Sequence, residues 1–283
     1  MQKNQQCRHI QMRLICLTPF RNAAGHLAGY FRSVNAFCDG IVALDDGSTD
    51  DTVALLASNP RVLTVLRNPV RRGYAGWDDA QNRARLLAAA GQFTPDWIVQ
   101  LDADERMDEQ SGRRLRKFLE TEACPDFAYG FYLCRMIGDE QHFDKSMEIF
   151  RVFAFRDGLR LPKRKLHLIP VPESIKREHW FSLKIRIKHL AGVTPALRRR
   201  RVKKYEEADP HNQWQASYTN LLSEPGQVKK WHQPQGGSLL VEPGRHAQAV
   251  ATLKQIQTLL GRTCGAVQPQ GTHRSQKTPS DRS

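Results

Sequence analysis

The sequence predicts an α/β fold with a mostly parallel sheet flanked by helices, and three observations carry that prediction. Apolar runs of strand length alternate with helical patterns through residues 1–135. Two acidic clusters, Asp45-Asp46-Gly47-Ser48-Thr49-Asp50-Asp51 and Asp102-Ala103-Asp104, each directly follow such a run. The 283 residues are 40% hydrophobic, enough for a sizeable core. Ligands of a parallel sheet bind in the crevice outside the carboxyl ends of its strands. Two acidic strand ends there can converge on one polar ligand, and a metal-bound nucleotide fits that description.

Residues 13–17 form the first predicted strand. Leu27, Tyr30, Phe31 and Val34 follow at helical spacing. The run 41–44 is the second strand, and 52–57 is a short helix after Ser48 and Thr49, both good N-cap residues. Residues 62–66 are the third strand, with a short or irregular connection after it. A longer helix rich in Ala, Leu and Arg is predicted over 75–90, entered through Gly73-Tyr74-Ala75-Gly76. Strand 97–101, helix 108–120 and strand 128–134 complete the regular part. Later elements are strands at 148–155 and 183–188 and a basic helix from about Pro195 to Glu207. Beyond Asp209-Pro210 the composition turns to Gln, Gly, Pro and Ser. That shift predicts a domain over 1–210 and a partly disordered linker and tail over 211–283, with a helix at 247–260.

The formal charge is +14, from 43 Lys plus Arg against 29 Asp plus Glu. It gathers at Arg71-Arg72, at Lys163-Arg164-Lys165 and along Arg198 to Lys204. Such a balance suits nucleic acid, anionic headgroups or diphosphate substrates. No run approaches the length of a membrane span and residues 1–9 are polar, so the expected location is the cytoplasm. Six cysteines are scattered without a Cys-x-x-Cys pair, which argues against a metal knuckle or a disulfide framework.

In an extended segment residues two apart point the same way, so Asp102 and Asp104 can face one hard cation, Mg²⁺ or Mn²⁺. Waters and substrate phosphates then fill the remaining positions. The Asp45–Asp51 cluster has a structural reading as a strand-to-helix turn, with Gly47 allowing an unusual backbone angle and Asp50 and Asp51 at the positive helix end. That reading leaves Asp45 and Asp46 unexplained, and one of them accepting a hydrogen bond from a nucleobase is the functional alternative.

Taken together, Thr18-Pro19-Phe20-Arg21-Asn22, Leu44 to Asp50, Gly73 to Asn82 and Leu101-Asp102-Ala103-Asp104-Glu105 resemble the family 2 glycosyltransferases of the GT-A fold. The resemblance implies a GT-A-like fold, a nucleotide-diphospho-sugar donor, a divalent cation and, usually, inversion at the anomeric carbon. It also implies a carbohydrate, lipid-linked or small-molecule acceptor, with cell-surface polysaccharide or glycolipid assembly as the family-level setting. Carried onto this chain, Thr18 and Pro19 line the nucleotide pocket and Asp45 or Asp46 contacts the base. Asp102 and Asp104 hold metal and ribose or diphosphate, His189 completes the metal shell, and Arg71 or Arg72 pairs with phosphate. Asn82 is the polar residue of the helix after Gly73. The basic helix 195–207 closes over the diphosphate or meets a lipid-phosphate acceptor, giving peripheral contact with the inner face of a membrane.

The catalytic base departs from the family pattern. Where relatives place an acid after a histidine, this chain reads Lys165-Leu166-His167-Leu168, and Leu168 takes no proton. The candidates are then His167 and Glu173, with Asp139 and Glu140 behind them, and a retaining outcome stays open. Two other classes fit the sequence less well. A nucleotidyltransferase calls for a Gly-rich loop after the first strand, and Pro19 to Gly25 is not one. A non-enzymatic basic protein binding nucleic acid calls for aromatics interleaved with the cations, and Arg198 to Lys204 has none before Tyr205, so no nucleic acid is expected. The same class binding an anionic membrane stays open until donor turnover is tested.

Overall fold

The computed structural model describes residues 11–259. Its strands and helices in chain order are β1 Leu14–Phe20, α1 Ala24–Val34, β2 Gly40–Asp45, α2 Thr52–Ala57, β3 Val62–Arg67 and α3 Asp79–Ala90. Then come β4 Trp97–Gln100, β5 Glu105–Arg106, α4 Glu109–Thr121, β6 Ala128–Met136 and β7 His142–Ala154. β8 Trp180–His189, α5 Pro195–Ala208, β9 Lys229–Lys230 and α6 Pro243–Leu259 close the series. One mixed sheet holds every strand, in the order β3-β2-β1-β4-β7-β6-β8-β5 with β9 on β7. β3, β2, β1 and β4 run parallel, as the alternating pattern predicts. β7 then pairs antiparallel with both β4 and β6, and β8 pairs parallel with β6.

Side chains alternate across the sheet with the period of two that strands impose. Leu14 and Cys16 face one way, with Leu27, Tyr30 and Val34 of α1 and Leu115 and Phe118 of α4. Ile15 and Leu17 face the other, with Leu86 and Leu87 of α3. β2 is buried at every position, as a strand covered on both faces must be. No described helix is long and apolar enough to cross a membrane. Cys16, Cys38 and Cys134 are free thiols; Cys7 and Cys264 lie outside the described residues.

The helix expected from residue 75 begins at Asp79. Asp78 caps it by accepting from the Gln81 amide at 2.8 Å, and Gly76 at φ 77° holds the preceding turn. Ser48 and Thr49 do not cap α2; both are drawn to Asn22, whose amide donates to Ser48 Oγ at 2.9 Å. The Asn22 side-chain carbonyl in turn accepts from the Thr49 amide at 2.8 Å.

The composition after Pro210 suggests a linker, but the described part of that segment is packed. Tyr218 is buried, β9 adds to the β7 edge, and Leu239 and Leu240 join the core. His246 of α6 is buried against Tyr129, at 3.0 Å from its hydroxyl. A few anchoring side chains suffice to hold a segment whose average composition is polar. The expected tail over 263–283 lies outside the described residues.

Candidate functional site

A cleft of about 460 Å³ runs across the carboxyl ends of β1, β2 and β4 and on over β7 and β6. That size accommodates a small-molecule ligand. Pro19 and Arg21 at the end of β1 line it. Thr18 does not: its hydroxyl is turned into the core against Tyr30 and Cys16, on the face of β1 that α1 covers.

The two adjacent acids after β2 separate. Asp45 is folded back, its carboxylate accepting from the Ser48 amide at 3.2 and 3.3 Å, and so closes the turn instead of lining the cleft. Gly47, at φ 78°, has no room for a Cβ against the Pro69 carbonyl. Asp46 faces the cleft, accepts from Asn68 Nδ2 at 2.6 Å and pairs with Arg71. Arg72, named from sequence beside Arg71, is exposed and does not line the cleft. Asn82 is buried behind Asn68, accepting from the same Nδ2 at 2.9 Å.

Asp102 and Asp104 both line the cleft, with different partners. Arg83 donates to Asp102 Oδ1 at 2.7 Å and Arg151 donates to Oδ2 at 3.2 Å, so each oxygen already has a cation. Arg151 also donates to Glu105, which accepts from the Asp102 amide at 2.9 Å, and Arg83 is held by Asp79 and Gln100. Burial pushes the Asp102 carboxyl up, but Arg151 and Arg83 outweigh it and hold it well below the usual range. Burial pushes Glu105 up to about 7 against the pull of Arg151.

Asp104 meets His189 instead, Oδ2 to Nε2 at 3.6 Å. The backbone fixes this meeting: Glu105 of β5 pairs with His189 of β8, and the Leu190 amide donates to the Asp104 carbonyl at 2.9 Å. Burial raises the Asp104 carboxyl, yet His189 opposite holds it below the carboxylate range. A hard carboxylate oxygen and an imidazole nitrogen this close suit Mn²⁺ or Mg²⁺, with room left toward the cleft for phosphate oxygens. Asp102, with both oxygens held by arginines, fits a ligand role poorly.

The basic helix α5 is capped by Thr194, starts on Pro195 and turns Arg200, Arg201 and Lys204 to the cleft. Arg198 is buried instead, donating to the Gly192 carbonyl at 3.0 Å. Lys204 lies 4.1 Å from the Trp77 ring centroid and Arg21 lies 4.4 Å from that of Tyr74, so aromatic faces hold cations at both walls.

The two candidate bases part. His167 lines the cleft at φ 56°, stacked 5.2 Å from Tyr205, with Nε2 buried and without a hydrogen-bond partner among the described residues. Burial and the nearby Arg164 and Arg201 lower its basicity. Tyr205 stacks in turn on Tyr218 at 5.0 Å, and the Tyr218 hydroxyl donates to Asp209 at 2.7 Å. Glu173 is exposed outside this cleft, its amide bound to the Arg160 carbonyl, so it is not brought to the site. Asp139 and Glu140 are exposed in the turn between β6 and β7, also outside.

The glycosyl transferase family 2 model matches residues 16–200, from the first strand into the start of α5. The chain belongs to glycosyl transferase family 2. Uncharacterised proteins of Mycobacterium tuberculosis and Mycobacterium bovis are each 35% identical to it over 95 residues, which cover 33% of this chain and 23% of theirs. The chain therefore matches about a quarter of the length of those relatives. Among solved structures, Staphylococcus aureus TarS 1-349 in complex with UDP-GlcNAc is 12% identical, covers 75% of this chain and 70% of its own, and has a TM-score of 0.42. Glucosyl-3-phosphoglycerate synthase from Mycobacterium tuberculosis, in complex with Mn²⁺, UDP and phosphoglyceric acid, is 20% identical over 44% of this chain and 43% of its own, with a TM-score of 0.32.

Sequence reasoning missed Arg83, Arg151 and Glu105, which order the site around Asp102. Their ion pairs join residues 19 and 49 positions apart for the arginines, and no local motif announces either contact.

Proposed function

We propose that this glycosyltransferase moves a sugar from a nucleotide-diphospho-sugar to an acceptor, with inversion and with a divalent cation. The observation that carries the reading is the convergence, in one cleft, of Asp46, Asp104, His189 and the inward cations of α5. Asp46 stands at the base end, oriented by Asn68 and Arg71, where its carboxylate accepts a nucleobase N–H. Asp104 and His189 would hold Mg²⁺ or Mn²⁺, which when bound supplies charge neutralisation for the departing diphosphate. Arg200, Arg201 and Lys204 add fixed positive charge on the facing wall, preorganised where negative charge develops. Asp102 positions rather than ligates: it fixes the Asp102-Ala103-Asp104 turn through Arg83 and Arg151. The transferase unit proposed is residues 1–210, with the segment after it supplying Tyr218 behind Tyr205. The setting proposed is cell-surface polysaccharide or glycolipid synthesis at the inner membrane face.

Thermal melts against a panel of nucleoside diphosphates, each with and without Mn²⁺, test this. A ligand at about a hundred times its Kd stabilises by about 2.7 kcal/mol. A shift that requires both metal and one nucleotide, and that disappears in Asp104→Asn, is the expected result. A folded protein with no shift for any pair overturns the reading.

A further inference from the structure

We propose that Trp77 is a positioning residue for the reaction: its ring holds the Lys204 ammonium at the cleft wall, charge uncancelled, for the diphosphate of the donor. The proposal rests on the transferase reading above and adds to it the device that fixes one of its cations. Lys204 Nζ lies 4.1 Å from the Trp77 ring centroid, 5.5 Å from that of Tyr74 and 5.7 Å from that of Tyr205. All four residues line the cleft. Among the described residues the Lys204 side chain has no ion pair and no hydrogen bond. The neighbouring acid is engaged elsewhere: Glu207 accepts from the Tyr74 amide at 2.9 Å and pairs with Lys203 at 3.9 Å.

Two kinds of cation meet in this cleft. Arg83 and Arg151 are answered by Asp79, Asp102 and Glu105, so their charge is cancelled where they stand. Lys204 is held by rings instead. An aromatic face attracts a cation through its quadrupole and carries no net charge, so it fixes the ammonium without cancelling it. Lysine has a long flexible stem, and left to solvent it spreads its charge over many rotamers. Three rings around one ammonium select among them before a ligand arrives, which is preorganisation of the kind that stabilises developing negative charge. Trp77 is the nearest of the three and the residue type that attracts a cation most strongly. Its own place is fixed from two sides. The Trp77 amide donates to the Tyr74 carbonyl at 3.0 Å, in the turn where Gly76 takes φ 77°, and its ring centroid lies 5.8 Å from that of Tyr205. Through the Tyr74 amide and Glu207, the loop that carries Trp77 is joined directly to the helix that carries Lys204.

The test is calorimetric titration of the full chain, with Mn²⁺, by the nucleoside diphosphate that shifts its melt, across Trp77→Leu, Lys204→Met and the two combined. Each single variant is expected to weaken the diphosphate about tenfold, and Trp77→Leu to change affinity by less than about twofold once Lys204→Met is in place. Trp77→Phe, which keeps a ring of weaker pull, should lose about threefold and again nothing further beside Lys204→Met. That milder pair gives the same reading where Trp77→Leu does not fold. In hydrolysis of the matching nucleotide sugar, Trp77→Leu should lower kcat by a larger factor than it raises KM, because the diphosphate gains charge as the sugar leaves. A Trp77→Leu loss that persists undiminished beside Lys204→Met overturns the proposal and makes the ring a stacking surface for the ligand itself. Full affinity and full turnover in Trp77→Leu overturn it as well, and both results leave the donor reading intact. A missing melt shift in the unaltered protein, for every nucleotide with Mn²⁺, overturns the donor reading and this proposal with it.

Discussion

The acidic clusters after β2 and β4 look alike as sequence, yet each divides its carboxylates between two tasks. After β2, Asp45 closes the backbone turn and Asp46 faces the cleft. After β4, Asp102 is locked by two buried arginines and Asp104 faces His189. The difference lies in what does the locking. Asp45 uses a backbone amide three residues away, a local device, whereas Asp102 uses side chains from α3 and β7 and ties the cluster to the rest of the sheet. A carboxylate that shapes a site is thus distinguished from one that serves it by its partners, not by its place in a motif.

Substitutions that separate shaping from serving give the sharpest tests. Asp104→Asn should lower turnover by more than about a hundredfold, because several kcal/mol of charge stabilisation depend on that carboxylate. Its stability should change by less than about 1 kcal/mol, as measured by denaturant melts. An unfolded Asp104→Asn protein would erase the distinction.

Asp102→Ala should do the opposite in kind, costing about 2–3 kcal/mol of stability because Arg83 and Arg151 each lose one of their two buried carboxylate partners, keeping Asp79 and Glu105. Urea unfolding followed by circular dichroism reads that cost; a stable Asp102→Ala protein would make Asp102 a group that serves the ligand, as Asp104 does. Asp46→Ala should weaken the nucleotide about tenfold by the same melt assay. Asp45→Ala should cost about 1 kcal/mol of stability through the lost hydrogen bond and leave nucleotide affinity unchanged once folded protein is compared.

Glu105 adds a pH signature to the β4 cluster alone. Its folded-state pKa, about 7, lies above its ordinary 4.5, so the folded protein binds more protons than the unfolded chain between those values. The associated stability is complete below pH 4.5 and is lost as pH rises through about 7. Glu105→Gln should therefore flatten the decline in melting temperature across that window, and an unchanged slope would exclude Glu105 as its source.

Much of this was legible in the chain itself. The buried apolar runs announced β1, β2, β4 and β6, since a strand covered on both faces has few ways to be written. Asp46, Asp104 and His189 were legible because each sits at a strand end. Thr18 misled because β1 is buried on both faces up to that residue, and the chain reaches the cleft only from Pro19 onward. Arg72 misled for a related reason: a turn turns one arginine of an adjacent pair inward, and only the fold chooses which. Glu173 has the chemistry of a base and stands near His167 in sequence, but the loop between them leads away from the cleft. Composition hid the packing of residues 211–240, because Tyr218 and the Leu239-Leu240 pair act singly and leave no periodic trace.

Tyr218 gives that last segment a consequence of its own. The family match ends at residue 200, while the outer ring of the Tyr205 stack comes from beyond Pro210. A stretch that forms no strand of the parallel half therefore backs one lining residue of the cleft, Tyr205. Exchange of that stretch between related chains would change what supports Tyr205 while the carboxylate and imidazole of the cleft stayed in register, so the ancestry of the cleft and the ancestry of that support can differ.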